Sequence, residues 1–408
     1  MAHTRTRLHH LHDGETLDSK AKTGISLHCH TQFSKENLDF LPHYADRVPL
    51  IAYFWRREYN LYREREQRDI DFDTAYWTPP LTPQIVYSSE KQQIENAGLK
   101  PIVSITDHDC IDANLDVNAA HPSEEAPISM EWTVPFDRGF FHIGVHNLPP
   151  QSAHAITAQL LEYTFDPTLH STQKLNELFQ ILEEIPDVLV VLNHPLWDIE
   201  MVGQTLHDAL LTDFLKIHGR WIHALEVNGF RKWSENKATI NLAESIGKPV
   251  VAGGDRHGCR PNTVINISKC STFGEYADEI RTSDRNEIAL MPQYERPLCS
   301  RQLESASEIL REYTNLPEGR QCWMQRMFFD TGEGYGLRSI SEIGMINGPI
   351  WMRAAIRTFA ILGSPPLAVL FRFVRRKADR VPFEFEDPHL ELTEVEEIPG
   401  KLSSETAL

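Results

Sequence analysis

The chain has 408 residues, 41% of them hydrophobic, with a formal net charge of -18 and a mean hydropathy of -0.37. That supplies a large buried core and argues against non-specific nucleic-acid binding, which relies on a basic surface. It leaves room for a phosphorylated small molecule, because bound cations reverse the local field.

Residues 1–22 hold no apolar stretch of the kind a secretory signal needs and read as a mobile tail, with His3, His9, His10 and His12 as solvated side chains. The six cysteines (Cys29, Cys110, Cys259, Cys270, Cys299, Cys322) form no CxxC pair and read as reduced thiols of a cytoplasmic protein. Residues 24–30 and 101–106 predict short buried strands ending in polar residues, and so do 188–193, 222–227 and 249–253. Helical stretches lie between several of them: 84–97 before Gly98, 172–184 before Pro186, and 234–246 before Gly247 with Ser234 as N-cap. Strand, helix, strand in repetition predicts an α/β fold with a parallel sheet. The regular polar endings point to a closed barrel over residues 23–290, whose C-terminal strand ends carry the chemistry.

Two stretches depart from the repeat. Residues 43–83 form an insertion whose charged run, Arg56 to Asp69, is either a helical cap over the site or a solvated helix. From about residue 290 the pattern changes, and the reading is a C-terminal helical extension (291–380) followed by an acidic tail (381–408). Within the extension, residues 349–377 place Ile350, Trp351, Ile356, Phe359 and Leu362 before Ser364-Pro365-Pro366, then Leu367 to Phe371 and the basic residues Arg372, Arg375, Arg376 and Lys377. Each apolar half is too short to span a bilayer and the prolines interrupt them. A peripheral membrane anchor and a packed helical pair covering the barrel both fit.

The residues that carry chemistry cluster at the strand ends. His28 and His30 alternate with Cys29, so both imidazoles share one face and the thiol packs on the other. His108 follows the second strand within Thr106-Asp107-His108-Asp109, where Asp107 or Asp109 is placed to hold an imidazole. Glu131 stands alone after Ile128-Ser129-Met130, and its two oxygens suit it to bridge two cations. His142 is a candidate ligand and His146 a structural one. His194 ends the strand before Pro195, Glu226 and Asn228 end the next, and Asp255 and His257 share a face at i and i+2. Imidazole nitrogen and carboxylate oxygen are what borderline divalent metals prefer, so the set reads as one metal centre assembled from many strands.

In this order the segments resemble the PHP (polymerase and histidinol phosphatase) superfamily: a His-x-His, a Thr-Asp-His-like segment, a lone Glu, a histidine before Pro and a final Asp-x-His. The resemblance covers about residues 24–270, roughly two-thirds of the chain. It implies a distorted (β/α)7 barrel holding two or three divalent ions (Zn, Mn or Fe) and, in many members, hydrolysis of phosphate esters. By that resemblance His28, His30, Glu131 and Asp255 hold the first metal, Glu131 bridges to a second completed by His142 and His194, and His108 and His257 contribute to a third. One departure concerns the run Thr31-Gln32-Phe33-Ser34-Lys35-Glu36, where Lys35 stands at the position of a family ligand. A protonated lysine is a poor ligand, so two metals are expected, with the third position empty, weak or served by Glu36. Ser26 stands where an Asp commonly precedes the first histidine.

The functional expectation is hydrolysis of a small phosphomonoester by a metal-activated water. Glu131, Asp255 and His257 would be catalytic, and Arg256, Arg260, Lys35 and Asn228 would bind substrate. The alternatives are nuclease-type phosphodiester hydrolysis, which the acidic balance disfavours, and a non-catalytic metal-stabilised scaffold docking through its C-terminal segment.

Overall fold

The computed structural model describes residues 6–11, 21–38, 49–67, 74–122, 126–199, 201–283, 285–330, 336–342 and 349–372, with a few isolated positions besides. Its strands are β1 (Thr6–His10), β2 (Thr23–Cys29), β3 (Glu36–Asn37), β4 (Tyr76–Trp77), β5 (Lys100–Val103), β6 (Met130–Phe136) and β7 (Gly139–His146). They continue with β8 (Leu189–Leu192), β9 (Ala224–Asn228), β10 (Val250–Arg256), β11 (Val264–Ser268), β12 (Asn286–Leu290), β13 (Met327–Asp330) and β14 (Leu337–Ser339). The helices are α1 (Pro49–Glu66), α2 (Pro83–Asn96), α3 (Asp112–Ala120), α4 (Ala153–Phe165), α5 (Thr172–Glu183) and α6 (Gln204–His218). After them come α7 (Trp233–Ser245), α8 (Phe273–Ser283), α9 (Leu298–Leu310), α10 (Ile350–Gly363) and α11 (Pro365–Arg372).

A ten-stranded sheet runs β1-β12-β11-β2-β10-β9-β8-β7-β6, with β5 paired to β2, and helices pack on it. This is the expected α/β arrangement, with one correction: the sheet is mixed. β6 and β7 pair antiparallel from Met130↔Val145 to Phe136↔Gly139 across the two residues Asp137-Arg138. That connection is far too short for a crossover helix, so an antiparallel hairpin is the only outcome. At its two ends the sheet meets itself only through the isolated parallel bridge His108↔Glu131. No ladder closes the ring among the described residues.

Helix α5 shows how sequence makes these layers. The Ser171 hydroxyl accepts from Lys174 N at 3.2 Å and caps the helix. Leu175, Leu178, Phe179 and Leu182 then recur at i, i+3, i+4 and i+7 and are buried, each burial contributing about 1.5–3 kcal/mol. They join a core with Trp132, Phe214 and Trp221. Helix α7 begins at Trp233 with Lys232 as N-cap, not at Ser234, whose hydroxyl donates instead to Asp379.

The N-terminal segment is not wholly a tail. Thr6–His10 pairs in parallel with Asn286–Leu290, because Leu8 alternates inward and is buried in the core. The region after 290 is not wholly helical either. β13 and β14 form a second sheet, β14-β13-β4-β3, in which β4 comes from the 43–83 insertion and β3 from the segment just after the first histidine pair. Phe54 of α1 stacks on Trp351 at 5.4 Å, and Tyr62 meets Phe329, so one face of α1 packs on the extension while Arg56, Arg57, Arg63 and Glu64 of its charged run stand exposed. Helices α10 and α11 meet at 78°. Gly363 at the elbow approaches α9 so closely that a Cβ would lie 2.4 Å from the Glu304 amide nitrogen. Its carbonyl accepts from Arg296 Nη2 at 2.5 Å and Ser300 Oγ at 3.1 Å. Among the described residues no single helix is long and apolar enough to cross a membrane. The acidic tail expected over 381–408 lies outside the described residues.

Candidate metal centre

Eight polar side chains converge from the ends of β2, β8 and β10, the segment after β5, the start of β6 and the middle of β7. The backbone is distorted there: His28, Asp109, His194 and Asp255 all have positive φ, between 28° and 62°. For residues with a Cβ this conformation is strained and persists only where the surroundings hold it, which is common at functional sites. The register between β10 and β2 also slips between Gly253↔Leu27 and Arg256↔Cys29. Despite that distortion the rings of His28 and His30 lie together, centroids 5.1 Å apart, while Cys29 packs in a separate apolar cluster.

Glu131 is the hub. Its Oε2 lies 3.0 Å from His28 Nε2, 3.4 Å from His30 Nε2 and 3.4 Å from His108 Nδ1. Its Oε1 lies 3.2 Å from His142 Nδ1 and 3.1 Å from His194 Nε2, and accepts from Asn193 Nδ2 at 3.0 Å. Asp255 Oδ1 stands 3.7 Å from the Nε2 atoms of both His28 and His30 and 3.6 Å from His257 Nδ1. Glu36 completes the set: its Oε2 is 3.2 Å from His108 Nε2 and 3.1 Å from His257 Nε2, and its Oε1 accepts from Ser34 Oγ at 2.6 Å.

Around these hubs four groups of side chains can hold a metal ion: His28, His30 and Glu131; His28, His194 and Glu226; His108, Glu131 and His142; and His30, Glu36, His108 and His257. The donor chemistry fits a divalent cation. His30 Nε2 and His142 Nδ1 are buried and have no hydrogen-bond partner, an unfavourable state that a cation accepting their lone pairs would relieve. Burial pushes the His30 imidazole down to about 3 and that of His142 down to about 4, so both are neutral donors at pH 7. For Glu131, burial opposes ionisation but His28, His142 and His108 outweigh it, and the carboxylate is held well below its usual range.

Behind the ligands stand the residues that aim them. Glu226 Oε1 is 2.5 Å from His28 Nδ1, and its Oε2 accepts from the His194 amide at 2.8 Å and from Asn228 Nδ2 at 3.0 Å. Asn228 is therefore spent on Glu226 and Asp255, an orienting part in place of the expected substrate contact. Asp107 holds Thr31, accepting from its amide at 2.5 Å and its hydroxyl at 2.6 Å, and burial pushes it up to about 7. Asp109 accepts from the Thr133 amide at 2.8 Å. Neither makes the hydrogen bond to an imidazole that the sequence assigns to one of them: both are spent on threonine groups. His146 bonds Ser104 beneath the site and is structural, as expected.

Three expected substrate contacts lie elsewhere. Arg256 is buried, with Nε 3.4 Å from Glu90 of α2, because alternation along β10 turns it away from Asp255 and His257. Arg260 is exposed and pairs with Glu304 and Glu308. Lys35 is exposed and lies 5.4 Å from the Tyr76 ring. A cavity of about 940 Å³ lined by Arg256, Arg260, Arg301 and Glu308 flanks the cluster; of the eight expected ligands, His257 alone reaches its wall.

Sequence reasoning missed the groups around the ligands. Arg231 lies flat on Trp197, Cζ 3.4 Å from the ring centroid, with Nη2 3.9 Å from Asp255 Oδ2. Trp197 also meets His194 edge-on at 5.2 Å, and Trp77 of the insertion approaches His257 at 5.7 Å. The available signal was position: Arg231 stands three residues past Asn228, and Trp197 three past His194.

No family model matches this chain, and no curated protein matches it. Among solved structures it is similar to an amidohydrolase from Chromobacterium violaceum with bound sulfate and no metal, at TM-score 0.30 and 16% identity, covering 44% of this chain and 84% of that one. It is also similar to a protein from Bifidobacterium adolescentis assigned as a metal-dependent phosphoesterase, at TM-score 0.30 and 14% identity, covering 45% and 85%.

Proposed function

We propose that this chain is a PHP-type metal-dependent phosphoesterase acting on a small phosphomonoester. The observation that carries the reading is the Glu131 carboxylate ringed by five imidazoles, with buried nitrogens of His30 and His142 left for a cation. His28, His30, Glu131 and Asp255 would hold one ion, and Glu131, His142 and His194 a second. Glu36 with His30, His108 and His257 would supply a third position. Zinc, manganese or iron is the expected metal. Such ions, when bound, polarise phosphoryl oxygens and acidify water for in-line attack.

The chain's own residues do the rest. Glu226 and Asn228 fix the ring of His28 and the Asp255 carboxylate. Arg231, held over the Trp197 ring, presents a guanidinium at the edge of the cluster, where it would bind the phosphoryl group through paired N–H donors. With the third position empty, His257, at the rim, would deliver a proton to the leaving oxygen.

The test pairs metal analysis of untagged protein with hydrolysis of an aryl phosphate monoester, with and without added Mn. Bound metal, and turnover abolished in Glu131→Ala, is the expected result. Bound metal without turnover on monoesters or diesters would favour a metal-stabilised scaffold, and absence of metal under every loading condition would overturn the reading.

A further inference from the structure

We infer that the outer face of the α10–α11 pair docks on an anionic lipid surface. Along α10, Ile350, Arg353, Arg357 and Ile361 fall at helical spacing on one stripe and are all exposed, Ile350 at 78% and Ile361 at 60%. Past the elbow, Pro365, Pro366, Val369 and Leu370 of α11 are exposed as well. Soluble surfaces scatter such residues singly, whereas here four large aliphatic side chains stand exposed along one helical pair, Ile350 and Ile361 on α10 and Val369 and Leu370 on α11. Its charge names the partner. In a chain of net charge -18, residues 349–372 contain no Asp or Glu, and Arg353 and Arg357 stand exposed on this stripe. Among the described residues no carboxylate pairs with Arg353 or Arg357. Aliphatic side chains alternating with arginines on a helix lying flat suit the headgroup boundary, where the apolar tips enter the acyl region and the guanidinium groups stay among phosphates.

The fold supports this use. The elbow is fastened to α9 through the Gly363 carbonyl and its close approach to Glu304. The two helices are therefore presented together, at 78°, without further ordering on contact. Each is too short to cross a bilayer, which fits lying on one.

Flotation of the full chain with vesicles tests the inference. Binding is expected to vesicles of equal parts phosphatidylcholine and phosphatidylglycerol, and not to phosphatidylcholine alone, with release on raising salt. Arg353→Gln with Arg357→Gln should lower the bound fraction roughly tenfold or more, and Ile361→Glu with Leu370→Glu should abolish flotation. Metal content and melting temperature should stay those of the unaltered chain. If either double variant fails to fold, the lipid and salt comparison on the unaltered chain still decides. Absence of flotation on the anionic vesicles, or equal flotation on both kinds, would overturn the inference. So would a concentration-dependent dimer, disrupted by Arg353→Gln with Arg357→Gln, in a chain that floats with neither vesicle.

Discussion

Lys35 and Glu36 are consecutive and face opposite ways: the lysine ammonium lies 5.4 Å from the Tyr76 ring in an exposed position, while the Glu36 carboxylate is buried 3.1 Å from His257 and 3.2 Å from His108. Glu36 begins β3, and its pairing with Trp77 on β4 sets which side chain turns inward. The burial of Glu36 is offset by His257 and His108, which hold its carboxyl well below the usual range. Glu36→Gln should therefore lower the metal content of purified protein relative to the unaltered chain. Lys35→Ala should leave it unchanged. Equal metal content in Glu36→Gln would show that the third group does not depend on this carboxylate.

A glycine that is no ligand should control metal affinity. A Cβ on Gly253 would lie 1.7 Å from Glu226 Oε1, the atom that fixes His28. Gly253→Ala must push Glu226 aside and release the imidazole. Loss of such an outer partner commonly weakens metal binding roughly 10–100-fold, and competition with a chromophoric chelator would measure it. Unchanged affinity with an unchanged melting temperature would show that Glu226 has no part in aiming the ligands.

Arg231 is the substrate contact that the geometry favours over Arg256, Arg260 and Lys35. On the phosphoesterase reading, Arg231→Ala should raise KM for a phosphomonoester roughly tenfold or more, as for loss of a charged hydrogen bond. Arg231→Lys should rescue little, because lysine offers neither a flat face for Trp197 nor a paired fork. A KM that does not move in either variant would remove Arg231 from the substrate.

Acid sensitivity should include a contribution from far outside the site. His218 ends α6 among Phe136, Phe179, Phe214 and Trp221, with Nδ1 2.8 Å from Asn176 Oδ1. Burial pushes it from 6.5 down to about 4, so the unfolded chain takes up this proton first. Its contribution to stability is complete above pH 6.5 and is lost as pH falls from there toward 4. The melting-temperature advantage of the unaltered chain over His218→Leu should narrow from about pH 7 to about pH 5. A constant difference would mean the ring is not held neutral.

Part of the ligand set was legible because His28, His194 and Asp255 lie at or just past strand ends, whereas Glu131 opens β6 and His142 sits midway along β7. His28 with His30, and Asp255 with His257, were paired by a strand's period of two, and they come together although the backbone at His28 and Asp255 leaves the extended conformation. The same rule, applied one residue further, turns Arg256 away from the cluster toward Glu90. Lys35 and Glu36 could not be assigned this way, because β3 is two residues long and owes its facing to β4, forty residues later. Arg231 was hidden because its position depends on a ring from another loop. The hairpin β6–β7 escaped the expectation of a parallel sheet for a similar reason: Asp137-Arg138 is an ordinary polar pair, and Asp137 supplies the positive φ usually sought from glycine.

The partnership of β1 with β12 sets an order of events. Thr6–His10 is made before every other described strand, yet its neighbour Asn286–Leu290 follows some 280 residues later. Through all of that synthesis the first strand has no place to pair, and β12 without it presents a bare edge open to other chains. A tag or deletion reaching Leu8 would make that interval permanent. Poor yield in such a variant would then reflect an unguarded sheet edge, with every metal ligand still in place.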